Sequence, residues 1–152
     1  MTKPDRSETP GRGRIILYSI AALFCLLGLA DATYLTVMAL TGETAACSGQ
    51  AGCQEVLGSV YSKVAGIPVA AFGVAGYFTA FTFAVFAAFN YARARKFFAI
   101  VVGVLFASTF WLLYVQAFLL HAFCRYCLFS AAVCFLLMGL VVASPSAPAR
   151  QN

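Results

Sequence analysis

Charge is what this chain has least of. Of 152 residues 10% are charged, with only five Asp and Glu, against about 25% charged residues in an ordinary soluble domain. Such scarcity argues against a water-soluble globule. Hydrophobic residues make up 62% of the chain and the mean hydropathy is +0.89. Crossing lipid takes roughly 20 consecutive apolar residues, and four stretches qualify: residues 15–40, 67–89, 97–120 and 123–143. The chain also lacks a clean small-x-small cleavage site after the first stretch, which is far longer than the roughly 7–15 apolar residues of a signal peptide. Arg12 and Arg14 therefore precede a span rather than a leader. No internal repeat is present. The expected fold is all-α, an integral membrane four-helix bundle.

The net charge of +5 does not indicate a nucleic-acid partner, because the basic residues sit at the ends of apolar spans and not on an amphipathic face interleaved with aromatics. Topology accounts for them. With a cytoplasmic N-terminus, Lys3, Arg6, Arg12, Arg14, Arg93, Arg95, Lys96 and Arg150 lie inside, and Lys63 and Arg125 outside. This is the positive-inside asymmetry. It places a multi-pass protein in the cytoplasmic (inner) membrane with both termini inside, and it exports residues 41–66 and the turn around His121.

Residues 1–13 and 144–152 read as disordered cytoplasmic tails, flanking a four-span domain over 14–143. Residues 91–96 form a short basic connector between the second and third spans, and the turn from the third to the fourth is shorter still. The exported connection is the longest; within it residues 53–63 have weak helical character and should form a short helix in a capping loop. Pro68 suits the first turn of the second span. Gly73, Ala75, Gly76 and Ala80 line that span at spacings that permit close helix approach, read here as bundle packing. The aromatics, 15% of the chain, divide between core and interfacial belts, with some available to line a flat apolar pocket.

The six cysteines carry the chemistry by position. Cys47 and Cys53 lie in the exported run CSGQAGC, and Cys124 and Cys127 form CRYC where the fourth span begins. All four are at or near one membrane surface, facing a compartment where disulfides persist. A CxxC at a helix start has a specific use: the helix N-terminus lowers a thiol pKa, and positions i and i+3 let the sulfurs alternate between dithiol and disulfide. Haem attachment is out, because Leu128 and not His follows Cys127. A static loop disulfide explains Cys47 and Cys53 but leaves the CxxC without a purpose. A four-thiolate zinc site fits poorly with the looser spacing of the first pair, and no metal is expected. Cys25 and Cys134, inside spans, read as small packing residues. Two pairs suggest a relay from a soluble protein dithiol to an acceptor dissolved in the membrane, for which a lipid quinone fits.

At this point the residues resemble the vitamin K epoxide reductase family, specifically its bacterial members. The resemblance covers about residues 28–137 and rests on an ordered set: DATYLT at the end of the first span, CSGQAGC, Ser59 six residues after Cys53, GIPVAAFG, and CRYC. It implies a bundle around a quinone pocket capped by the exported loop. By the same resemblance Cys47 exchanges with the partner protein, Cys53 pairs with Cys124, Cys127 faces the quinone, and Ser59 supports the capping loop beside it. Ala131 stands where vertebrate members carry a tyrosine near the quinone head group, so ubiquinone or menaquinone is expected rather than vitamin K epoxide. Many bacterial members carry a fused thioredoxin-like domain; here the partner is expected to be a separate exported thioredoxin-like protein.

The implied function is a quinone-dependent thiol oxidoreductase that supports disulfide bond formation. DsbB-like enzymes share that function but carry the CxxC in the first exported loop, the reverse order. A membrane metal-binding protein, or a structural tetraspan with static loop disulfides, are the readings from other classes. Asp31 lies inside the first span, roughly 13 Å from its exported end at 1.5 Å per residue; intramembrane carboxylates are costly and point to function, although a structural hydrogen bond explains it equally simply. His121 reads as an interfacial turn residue, and Lys63 and Arg125 as surface charges.

Overall fold

The computed structural model describes residues 10–41 and 51–144. Helix α1 spans Pro10–Thr41, a short helix α2 spans Ala51–Gly58, α3 spans Val69–Ala88, α4 spans Ala92–Tyr114 and α5 spans Arg125–Ala143. Among the described residues four helices are long and apolar enough to cross a membrane: α1, α3, α4 with its extension to Leu120, and α5. Apolar side chains such as Leu23, Ile100, Trp111 and Leu136 point away from the bundle and are more than half exposed. Lipid solvates such side chains at no cost, and helices satisfy their own backbone groups there. The chain is thus a multi-pass, all-α membrane bundle.

Two helix starts lie earlier than the apolar runs suggest. Helix α1 begins at Pro10, whose fixed φ and missing N–H suit a first helical position. It is therefore roughly 48 Å long, beyond the hydrocarbon thickness of about 30 Å. Helix α4 takes in Arg93, Arg95 and Lys96, so only residues 89–91 connect it to α3. Asn90 turns the chain with φ 72 and accepts a hydrogen bond from Arg14 on α1. Hydropathy marks where lipid begins; the backbone stays helical for a further turn in the headgroups.

The core runs along the bundle axis. Ala21 of α1 and Ala80, Ala84 and Ala87 of α3 are fully buried, and their small size brings the backbones together around Phe98 and Leu137. Tyr18 meets Phe98 edge to face at 5.7 Å between ring centroids. Towards the other end Gly28 of α1 lies against the ring of Tyr77, whose hydroxyl is shared among Ser130 Oγ (2.9 Å), the Ser130 carbonyl (3.2 Å) and Cys134 Sγ (3.0 Å). Cys25 and Cys134 are buried in this core.

Between α2 and α3 the chain forms a 3-10 turn at Val60–Ser62 and a two-stranded ribbon, β1 (Lys63–Val64) antiparallel to β2 (Ile67–Pro68). Ala65 (φ 53) and Gly66 (φ 84) both take the left-handed conformation, which tight hairpin turns require. Pro68 then stands one residue ahead of α3. The ribbon returns the chain from the α2 cap to the membrane.

Candidate active site

Helix α4 continues into a π-helical turn, Val115–Leu120, ending at His121 in the left-handed conformation (φ 49). The chain then reverses through residues 121–124 into α5. Gln116 organises the reversal: its backbone carbonyl accepts from the Ala122 N–H at 3.2 Å, and its side-chain oxygen accepts from the Cys124 N–H at 3.1 Å. Its side chain is 2% exposed. The sequence reading passed over Gln116, although a lone amide deep in an apolar run was a signal, since polar groups in a span are expensive. π-helical turns recur at functional sites.

Cys124 stands at the N-cap position of α5 and Cys127 in its first turn. Cys124 is fully buried beneath Val56 and Leu57 of α2, with Tyr126 and Cys127 beside it. A hydrogen bond from the Cys127 side chain, helped by the backbone N–H groups of Cys127 and Tyr126, stabilises the Cys124 thiolate. These outweigh burial and the charge of Asp31, and the thiol is pushed down to about 6, from about 8.5 for a free cysteine. Thiolate, the nucleophile in disulfide exchange, is therefore the major form of Cys124 at neutral pH.

The sign of this shift gives a direct test. In the fully reduced protein, alkylation of Cys124 by a small neutral reagent, mapped by mass spectrometry, should be half-maximal near pH 6 and fall away below it. In Cys127→Ala the main stabilising hydrogen bond is gone, so the midpoint should move up by at least about one pH unit towards that of a free thiol. An identical midpoint in both proteins would exclude Cys127 as the cause.

A cavity of about 710 Å³ lies between the helices at this end of the bundle. Ala32 and Leu35 of α1, Gly73 and Gly76 of α3, Val104 and Leu105 of α4, and Cys127 and Ser130 of α5 form its walls, and residues from Val56 to Val64 cover it. The glycines and alanines leave the space open, and the lining is overwhelmingly apolar, as expected of a site for a flat lipophilic ring. Ser59 lines the cavity and holds the cover together: its Oγ donates to the Val56 carbonyl at 2.8 Å, and its own carbonyl accepts from the Ser62 hydroxyl at 2.7 Å.

Of the four predicted cysteines, the structure brings Cys124 and Cys127 together. Cys53 lies in α2, one turn before the residues that cover Cys124; its side chain and all of Cys47 fall outside the described residues. Asp31 has one buried carboxylate oxygen with no hydrogen-bond partner among the described residues, and its charge acts at Cys124. His121 is exposed at the reversal. Arg125 and Lys63 are exposed as well. Among the described residues no three His, Cys, Asp or Glu side chains are grouped to hold a metal ion.

The model of the vitamin K epoxide reductase family matches residues 19–142, most of the chain and every residue of this site. Members of that family are membrane thiol oxidoreductases linked to quinones, and they generally work with thioredoxin-like partners. The profile match, the four membrane helices and the thiol pair at the start of the last one lead to one assignment: this chain belongs to the vitamin K epoxide reductase family.

Proposed function

We propose that the protein is a quinone-dependent thiol oxidoreductase that oxidises a separate exported thioredoxin-like protein and delivers the electrons to ubiquinone or menaquinone, supporting disulfide bond formation. One observation carries this reading: Cys127 lies on the wall of the apolar cavity while its neighbour Cys124 is buried under the helix that contains Cys53. The CxxC is thereby shared between a lipophilic site on one side and a thiol relay on the other.

In this mechanism Cys47 exchanges with the partner, Cys53 attacks Cys124, and Cys127 is the thiol next to the cavity. Each exchange forms one S–S bond and breaks another, moving two electrons without an external redox agent. Closure of the disulfide from the Cys124 thiolate and the Cys127 thiol releases two electrons and one proton; conversion of a quinone to its quinol takes up both electrons, that proton and a second one from the solvent that received the Cys124 proton. Cys124 enters as thiolate, and the apolar walls and the α2 cover exclude water. Ser59 keeps that cover folded.

Orientation follows from charge. Arg12, Arg14, Arg93, Arg95 and Lys96 lie at the start of α1 and of α4, the end opposite the CxxC, and the positive-inside rule puts that end in the cytoplasm. The cysteines then face the periplasm or its equivalent, and both termini lie inside.

The test mixes purified protein with a reduced thioredoxin-like protein and a soluble quinone, and follows quinone absorbance. Cysteine-dependent conversion to quinol is expected. Quinone absorbance that stays constant, or falls equally without the cysteines, overturns the reading.

A further inference from the structure

We infer that Gln116 is the hydrogen-bond donor to a carbonyl oxygen of the quinone, and that it couples that oxygen to the start of the redox helix. The inference rests on the reading above and adds to it a residue that recognises the substrate. A backbone N–H can only donate, so the atom of Gln116 that meets Cys124 N–H is the amide oxygen. The amide nitrogen is thereby aimed the other way. Among the described residues it has no partner, it is not among the enclosed polar atoms without one, and the residue, 2% exposed, lines the cavity. Its N–H groups therefore open into the cavity.

Other polar groups on the wall are already engaged. Ser59 and Ser62 donate to carbonyls of the cover, and Thr109 donates to Cys134. Tyr61 is exposed on the cover, where water or lipid headgroups compete for its hydroxyl, and Ser108 stands near the middle of the third span, eight residues before Gln116 and about 12 Å away along the helix at 1.5 Å per residue. Gln116 is the desolvated donor, and a desolvated donor is worth most against an oxygen on which negative charge develops. Reduction of a quinone to its quinol loads its oxygens in that way. No proton leaves Gln116; one proton comes from the Cys127 thiol and the other from the solvent that received the Cys124 proton. Because the same side chain holds Cys124 N–H, one rigid amide fixes the distance between the substrate oxygen and the helix start that carries the thiolate.

The variant Gln116→Met keeps length and volume and removes both the N–H donor and the oxygen that accepts from Cys124 N–H. Its KM for a short-chain ubiquinone should rise about 10- to 100-fold. Stoichiometric oxidation of the reduced thioredoxin-like protein in the absence of quinone, which uses the thiols but no quinone contact, should fall by a smaller factor than the quinone KM rises. A defect in folding would lower both together. The second readout needs no variant: infrared spectra of the wild-type protein with bound short-chain ubiquinone should show one carbonyl band at lower frequency than in an apolar solvent. An unchanged KM in Gln116→Met, or carbonyl bands at their apolar-solvent positions in wild type, overturns the inference and leaves the proposed function standing. Wild-type protein that reduces no quinone overturns both.

Discussion

Replacing Cys127 by alanine is expected to lower quinone reduction by about a thousandfold or more, the scale seen when a residue that forms the covalent bonds of a mechanism is lost. The reason is specific to position. Cys127 is the thiol of the pair on the cavity wall, and its hydrogen bond is the largest influence holding Cys124 as thiolate. Its removal therefore takes away one electron-donating thiol and reprotonates much of the other at neutral pH. Raising the pH restores the Cys124 thiolate but not the missing sulfur, so activity should stay low even at pH 9. Recovery at alkaline pH would mean that Cys127 serves only to tune Cys124. The complementary variant Cys47→Ala should accumulate a Cys53–Cys124 disulfide, found by mass mapping, because the thiolate that attacks Cys53 to release Cys124 is absent. Cys53 found as a free thiol in that variant would break the relay.

The order of spans and cysteines was legible in the sequence because both rest on local rules: apolar runs of bilayer length and a CxxC at the start of the last of them. The end of α4 was not legible. Residues 115–120 read as the continuation of an apolar helix, and nothing in their spacing distinguishes a π-helical turn from an α-helical one. The turn is fixed by contacts that only the folded chain makes, Gln116 to Ala122 and to Cys124. Likewise the basic segment 93–96 reads as a connector because charge is unfavourable in lipid, whereas the structure keeps it helical with its charges beyond the apolar window. The aromatics and the membrane-side thiol pair pointed to an apolar pocket, and the family resemblance placed it within the bundle. Its volume depends on which face each small residue presents, and periodicity alone does not settle that.

The small residues make the point quantitatively. Gly73, Ala75, Gly76 and Ala80 mark α3 as a close-packing surface, yet the tightest contact among Gly28, Gly73 and Gly76 is on α1, where Gly28 meets a tyrosine. Gly28→Ala is expected to destabilise the protein by about 3 kcal/mol, at the upper end for an overpacked core site. A Cβ there would sit 2.3 Å from Cε1 and 2.5 Å from Cζ of Tyr77. The ring is 2% exposed and its hydroxyl is tied to Ser130 and Cys134, so it has no open rotamer to take; the helices must part or the ring must move into the cavity. At Gly76 the atom in the way, 2.5 Å off, is Cδ2 of Leu105, the end of a flexible side chain, and at Gly73 the nearest atom is an ordinary 3.5 Å contact. The expected order of damage is Gly28→Ala, then Gly76→Ala at about 1 kcal/mol, then Gly73→Ala near zero, read from unfolding midpoints in detergent. Combining Gly28→Ala with Tyr77→Leu should cost less than the two separate losses added together, since the second change removes the ring that the first collides with. Equal stability of Gly28→Ala and wild type, or simple additivity in the double variant, would show that α1 and α3 do not meet at this point. Because Tyr77 shares the cavity wall with Cys127 and Ser130, any Gly28→Ala protein that folds should also bind quinone more weakly, linking the packing of the first span to the chemistry of the last.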